Sequence, residues 1–583
     1  MILKSLADYY QRLLDSSDTD IPIFGFEKKG IPYIIIIDEE GNFVSIHDTR
    51  TEGDKSKIPR EFLVPQGEIK TSGIKANLFW DNPQYTLGQP KSSQRKEINK
   101  ASSAHKAFKE KLADSFPDDF PDKGIKAIKK FLEIIPFEKI HSLSCWEEII
   151  EKNSNLTFML KEDTCLICQR PAVLEQINKI NRLKSGEIHT CIVSGNKDVP
   201  ARLHTKIKGV WGAQTSGASI VSFNLDAFKS FGKEQGLNAP IGEDIVFAYT
   251  TALNYLLAKG SKQRMQIGDT STVFWAKEAT ALEEDLSFLL AGAPKGEENV
   301  SYEKIRSFLS SVKTGIPSKE EKLPFYILGL APNASRISIR FWYAGTVGEL
   351  KQRIAQYFRD IDIIRNPKDR EFLSLFQILK AIAANEDSKN IPPTLGGQLM
   401  LSILNGIRYP RTLLSLAVIR CKATQYVSRE RAAIIKAVLQ RDKYFLSKNI
   451  KEVGMSIDKE NDNIGYVLGR LFAVLERVQE SAHEGGKLNK TIRDTYFSAA
   501  CSSPLVIFKR LQDLSIHHLA KIRNAGKSTV WLDKQMGEIM DKIPADGIPS
   551  TLNLDDQGRF AVGYYHQRNH FFQKTSSKEN ENE

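Results

Sequence analysis

Cysteine is scarce in this chain, with six in 583 residues at irregular spacing: Cys145, Cys165, Cys168, Cys191, Cys421 and Cys501. That excludes a disulfide-stapled secreted scaffold and makes a reducing cytoplasm the expected compartment. Long apolar runs are lacking too. The most aliphatic stretch, IPYIIIIDEE at 31–40, ends in acids and is far shorter than the roughly 20 residues of a membrane helix, so no membrane partner is expected. The opening MILKSLADYYQRLLDSSD reads as an amphipathic helix without the small-residue cleavage site of a secretory leader. Recognisable catalytic spacings are missing as well: there is no HExxH, no nucleophile elbow, no paired His-Asp nuclease motif and no Gly-Lys-Ser/Thr phosphate loop. These absences lead to the expectation of a non-catalytic protein without a cofactor.

What is present is positive charge, unevenly placed. Of 82 Lys and Arg and 71 Asp and Glu, 17 of each lie from Met455 onward, leaving 65 against 54 upstream, so the whole net charge of +11 belongs to the first 454 residues. A clustered surplus of this kind points to a polyanion partner. The 41% hydrophobic and 26% charged residues are those of an ordinary globular chain.

Periodicity predicts an α+β fold: a mixed N-terminal region with β-hairpins and helices, followed by an all-helical C-terminal bundle. PYIIIIDEEGNFVSIHDTR (32–50) reads as a hairpin, and FYILGLAPNASRISIRFW (325–342) as a second one turning at Pro332-Asn333. A helix is expected over 244–257, with Ile245, Ala248, Tyr249, Ala252 and Leu256 on one face. Strand signals vanish near residue 346. The expected regions are 1–345, a mixed nucleic-acid-binding part, 346–454, helical, and 455–583, a helical bundle. Within the last, Val467, Leu468, Leu471, Phe472, Leu475 and Val478 line one face, further helices follow around 492–500, 504–523 and 531–541, and a polar, disordered tail closes the chain.

Two stretches carry the candidate site. ARLHTKIKG (201–209) alternates Arg202, His204, Lys206 and Lys208 with Ala201, Leu203, Thr205 and Ile207, the period of a strand with one basic face. It leads into GVWGAQTSGASIVSFN (209–224). The small residues there, Thr215 and Ser216 among them, allow backbone to approach a phosphate or base edge. Trp211 offers a stacking surface and Gln214 an amide. A helix LDAFKSF, capped by Asn224 and ended by Gly232, is expected next. The alternative is a tight strand-to-helix connection with a solvated basic face. The second stretch, TSGIKANLFWDNPQYTLG (71–88), brings Lys75, Asn77, Trp80 and Asn82. Lys91, Arg95, Lys96, Lys100, Lys106, Lys109 and Lys111 follow as a candidate backbone track. The alternative there is a core Trp beside a solvated helix. A different function, a zinc-dependent enzyme acting on nucleic acid, would use Cys165, Cys168, Cys191 and His204 as ligands; a lone CxxC is a weak sign of it.

LFWDNPQYTLG, CIVSGNKDVPARLHTKIKGVWGAQTSGASIVSFN, AYTTALNYLL and DDQGRFAVGYYHQR, in that order, resemble the large subunit of type I-C CRISPR surveillance complexes (Cascade), the c-type members of the eighth numbered Cas family, also called the Csd or Dvulg type. The resemblance runs from MILKSLADYYQRL to GYYHQR. It implies a non-enzymatic subunit at the 5′ end of the crRNA, beside other Cascade subunits, that checks the protospacer-adjacent motif in double-stranded target DNA, helps open the strands and presents the R-loop to a separate helicase-nuclease. It also implies a bundle at 455–583 that resembles the Cascade small subunit. With Met455 preceded by Lys451-Glu452, writable as a ribosome-binding sequence, the expectation is that this segment is also made separately.

Overall fold

Tyr33–Ile37 is apolar at every position and every side chain is buried, as expected of a strand covered on both faces. It runs antiparallel to Phe43–Asp48 and parallel to Leu156–Leu160, so the first hairpin forms where the sequence placed it. Gly41 in its turn has φ +88°, and a Cβ there would lie 2.9 Å from the Ala127 carbonyl oxygen. The computed structural model of the chain describes all residues except 1, 17–20, 54–56, 69, 71–72, 183–185, 293–297, 315–318, 448–450, 484–487 and 580–583. The end of the polar tail thus lies outside the described residues.

The chain divides into two compact units, Leu3–Thr205 with Val221–Ala252, and Lys206–Ile220 with Leu253–Glu583. The borders expected at 345 and 454 both fall inside the second. In the first unit, the three-stranded sheet and an antiparallel pair, Phe26–Gly30 with Glu61–Pro65, are packed by helices. Arg95–Ser115 buries Ala101, Ala104, Phe108 and Leu112, a stripe at helical spacing. Lys123–Glu133 is capped by Asp122, which accepts from the Ile125 N–H at 3.2 Å.

The second unit holds a four-stranded antiparallel sheet in the order Arg336–Thr346, Pro324–Asn333, Thr270–Ala276, Arg264–Ile267. The second hairpin is therefore present, but its turn is Ala334-Ser335. Pro332 and Asn333 remain in the ladder, opposite Ile337 and Arg336. From Val347 on, among the described residues, all regular structure is helical, and the α+β reading holds. The helix expected over 244–257 is Glu243–Leu256, and the C-terminal helices are Ile464–Ser481, Ile492–Ser502, Pro504–Asn524, Val530–Met540 and Leu554–Glu579.

Ile464–Ser481 and Leu554–Glu579 lie backbone against backbone. A Cβ at Gly465 would stand 2.3 Å from the Asp556 carbonyl oxygen, at Gly469 2.0 Å from that of Phe560, and at Gly563 2.3 Å from that of Tyr466. The two helices share one hydrophobic core with the sheet and with the helices from Val347 to Leu446. Arg559, buried, pairs with the equally buried Glu452, Nε to Oε2 at 3.0 Å. The Tyr565 hydroxyl donates to the Ile364 carbonyl at 2.7 Å. A polypeptide beginning at Met455 would leave both partners behind, so these groups need substitutes in any separate product.

Replacing Gly469 by Ala should lower the stability of the full chain by about 2 kcal/mol or more, because the helices cannot both keep their places and admit the methyl group. Gly537, with nothing within 4 Å of its Cβ position in the helix Val530–Met540, supplies the control: Gly537→Ala should raise stability by about 0.5–1 kcal/mol. Thermal and urea unfolding of the two variants checks the contrast.

Candidate nucleic-acid interface

The loop beginning at Gly209 is a closed ring of chain. Ile207 and Ala218 exchange both backbone hydrogen bonds, at 2.8 and 2.9 Å. Inside that clasp are two tight turns, Ala213 N–H to Val210 oxygen at 3.1 Å and Gly217 N–H to Gln214 oxygen at 2.9 Å. Gly209, Gly212 and Gly217 have φ of +83°, +78° and +89°, values that side chains disfavour. At Gly209 a Cβ would also meet the Leu257 carbonyl oxygen at 2.6 Å, and at Gly217 that of Ile207 at 2.9 Å.

Main-chain anchors hold the ring to its own unit. Asn254 grips the approach from both sides, its Oδ1 accepting from the Lys208 N–H at 2.8 Å and its Nδ2 donating to the Lys206 oxygen at 3.2 Å. The Trp211 N–H donates to Ser271 Oγ at 3.0 Å. Ser219 accepts from the Ile337 N–H at 3.0 Å, which ties the exit to the Arg336–Thr346 strand. The side chains of the tip are left outside: Trp211 is 61% exposed, and Gln214, Thr215, Ser216, Lys206 and Lys208 are exposed with it. Neither lysine pairs with a carboxylate among the described residues. The N–H groups of Gly212, Gln214, Thr215 and Ser216 have no protein partner among the described residues either, so four donors stand beside two uncompensated positive charges. Such a tip suits a phosphate or a base edge.

The basic strand itself is not a strand. Residues 201–206 form no ladder, and only Ile207 makes a bridge. The alternation survives as burial: Ala201 and Ile207 are inside, Arg202, Lys206 and Lys208 outside. His204 departs from the basic face. It is buried, with Nδ1 2.6 Å from the Tyr249 hydroxyl, and burial pulls its pKa down to about 4. The expected helix after Asn224 is a single 3-10 turn, Asp226–Phe228. Beyond it Phe231 is 95% exposed in a left-handed conformation, φ +52°.

The second stretch is mostly structural. Trp80 is 3% exposed, donates Nε1–H to the Pro65 oxygen at 2.8 Å, and lies under the Lys29 ammonium at 4.9 Å from its ring centroid. Its stacking face is covered. Asn77 is 4% exposed and accepts from the Glu68 N–H at 2.9 Å. Asn82 caps the short helix Pro83–Thr86, accepting from the Gln84 N–H at 3.0 Å. The group that organises the two asparagines is Asp81, which sequence reasoning did not single out. Its buried carboxylate accepts from the N–H groups of Asn77 and Asn82, at 3.0 and 2.9 Å, and from the Lys70 ammonium at 2.7 Å. Trp80 and Asn77 are thus buried away from any ligand in this conformation, and the half-buried Asn82 is engaged as a helix cap.

The basic residues fare differently. Lys91, Arg95, Lys96, Lys100 and Lys106 are exposed on Arg95–Ser115 and the loop before it. Arg95 and Lys96 stand in the first turn, where the helix end is already positive, with Glu97 as the acid beside them. Lys111 is committed to Glu68 and the Ala76 carbonyl. Lys75 and Arg202 border one cleft of the first unit, about 510 Å³, shared with Lys111, Glu68 and Glu243.

The proposed zinc ligands do not converge. Cys168 is buried with its Sγ 4.0 Å from the Leu63 oxygen, Cys191 accepts from the Ser194 N–H at 3.5 Å, and His204 faces Tyr249. Among the described residues no three His, Cys, Asp or Glu side chains are grouped to hold a metal ion. Burial pushes the Cys168 thiol well up.

A family model, CRISPR-associated protein (Cas_Csd1), matches residues 6–572. The chain belongs to the Cas_Csd1 family of CRISPR-associated proteins, in keeping with a large subunit of that type. Membership covers both compact units, so the clasped loop and the cleft lie within the family match. A search of curated proteins finds no match to this chain. No helix among the described residues is long and apolar enough to cross a membrane.

The buried His204 yields a pH prediction. Its proton affinity is lower in the folded chain (pKa about 4) than in the unfolded one, about 6.5. As pH falls from 6.5 towards 4 the unfolded chain takes up a proton that the folded chain refuses. Stability is lost across that window, by an amount on the order of 3 kcal/mol. His204→Gln, which retains a polar atom for Tyr249, should flatten this part of the stability profile; unfolding midpoints at pH 7, 5.5 and 4.5 measure it.

Proposed function

We propose that this chain is the non-catalytic large subunit of a type I-C CRISPR RNA-guided surveillance complex, and that the clasped loop at 207–218 reads the protospacer-adjacent motif in duplex DNA. The observation that carries the reading is the tip of that loop: Trp211, Gln214, Thr215 and Ser216 exposed on a main chain anchored by Asn254 and Ser271, with Lys206 and Lys208 alongside. Lys206 and Lys208 neutralise phosphates and fix register, which is sequence-independent. Gln214 and the free N–H groups meet base edges. Trp211 wedges or stacks where the first pair opens.

Guide pairing carries most of the sequence information in such complexes, so the protein needs only a short reader, a wedge and a positive track. The helix Arg95–Ser115 with Lys91, Arg95 and Lys96, and the cleft residues Lys75 and Arg202, supply basic surface for the nucleic acids of the assembly, crRNA and target DNA. Other Cascade subunits complete the particle, and a helicase-nuclease recruited after R-loop formation makes the cut. In this reading the chain cleaves nothing itself.

Binding of the assembled complex to duplexes with randomised flanks tests the assignment. Lys206→Ala with Lys208→Ala should weaken binding to every duplex alike and reduce the slope of log K against log salt by about 1.8, roughly 0.9 per lost phosphate contact. Gln214→Ala should leave the slope in place and change which flanks are selected. Unchanged affinity in the first variant together with unchanged selection in the second rules the loop out as the reader.

A further inference from the structure

The second unit contains a polar cavity of about 480 Å³ that the loop reading does not use, bordered by Lys368, Arg370, Arg429, Tyr426, Arg568 and Phe572. Its floor is the start of the 18-residue helix Arg429–Leu446, whose Ser428 cap accepts from the Arg431 N–H. The N–H groups of Arg429 and Glu430, both on the cavity wall, have no protein partner among the described residues. A helix start of this kind attracts anions.

Arg429 is the second and independent sign. It is 8% exposed, and its guanidinium donates only to main-chain oxygens, those of Arg370 and Glu371. Among the described residues its Nε–H has no hydrogen-bond partner and no carboxylate pairs with it. A buried cation without a directly paired carboxylate is costly, and burial lowers its proton affinity even though Asp369 and Glu430 nearby act to raise it. Arg568, by contrast, is already paired with Glu476 at 2.7 Å. Lys368 and Arg370 are exposed at the rim, unpaired among the described residues. Opposing them are Asp369, whose carboxylate accepts from the Asn366 N–H at 3.0 Å, and the half-buried Glu430. Tyr426 and Phe572 stand at the mouth, 54% and 55% exposed.

We infer that this cavity binds the phosphate group of a nucleotide, with Arg429 and the helix start as its floor, Lys368 and Arg370 as its rim, and the Tyr426 or Phe572 ring against the base. The phosphate comes from a single-stranded nucleic acid laid across the mouth or from a free nucleotide; the chemistry of recognition is shared. The inference does not rest on the loop at 207–218.

The test uses the full chain carrying Lys206→Ala and Lys208→Ala, so that the loop contributes nothing to the readout. A fluorescently labelled single-stranded oligonucleotide is titrated by anisotropy, and inorganic phosphate and adenosine monophosphate are scored by the rise in melting temperature. Adding Lys368→Ala and Arg370→Ala should weaken oligonucleotide binding on the order of tenfold and reduce the salt slope by about 0.7, the value for one phosphate contact on a single strand. The same variant should lose the stabilisation by phosphate. Tyr426→Ala should weaken the oligonucleotide and the mononucleotide while leaving inorganic phosphate unaffected. Competition between oligonucleotide and phosphate identifies the strand as the source; stabilisation by the mononucleotide without such competition identifies the free nucleotide. Equal binding of all three probes by parent and rim variant overturns the inference, and so does protection of this cavity by an acidic peptide but by none of the probes.

Discussion

Backbone packed directly on backbone is the constraint on which the second unit rests. Gly465, Gly469 and Gly563 let two helices meet carbonyl to Cα, at separations that admit no side chain. That contact brings Tyr564, Phe560 and Phe472 into one aromatic cluster and fixes the helix that carries Arg559 and Arg568. The same device recurs at small scale in the loop. Gly209 and Gly217 press against the Leu257 and Ile207 carbonyls, and the ring closes only because they do. Glycine loses more freedom on folding than any other residue, so its use in both places marks geometry that the fold cannot relax.

A reader of duplex DNA benefits from such rigidity. Specificity from a few atoms needs those atoms held before the ligand arrives, since ordering a loop on binding consumes affinity. The loop meets this requirement through main-chain anchors, and its side chains remain free for the ligand. Charge is handled in the opposite way at the two positive sites of this unit. In the proposed reading the solvated Lys206 and Lys208 steer a phosphate backbone, whereas the desolvated Arg429 favours a single anion that fits.

Much of the architecture was legible in the sequence. The unbroken aliphatic run of Tyr33–Ile37, the alternation after Arg336 and the helical spacing from Val347 onward each expressed burial through side-chain pattern alone. The clasped loop was legible through its glycines and the basic alternation before it. What could not be read is where polar groups find partners. Trp80 and Asn77 resemble a nucleic-acid reader in sequence because aromatics and amides between basic residues suit both a core and an interface. Asp81 decides between them, and one aspartate in a turn-rich stretch gives no sign that it will be buried and accept from three donor groups. Period two groups His204 with the lysines, yet the histidine is the member whose neutral form tolerates burial against Tyr249. The sequence pattern points to Pro332 rather than Ala334-Ser335 for the turn because proline in an outer part of a ladder looks, locally, like a turn.

The central claim is that the tip of the 207–218 ring touches the duplex at the end where strands separate. A photoreactive amino acid placed at Thr215, exposed at the tip of the anchored ring, reports on this most directly. On irradiation of the target-bound complex, the account predicts a crosslink to nucleotides of the protospacer-adjacent motif or the first pair beside it. A crosslink confined to distant target positions, or to another protein subunit alone, would contradict it.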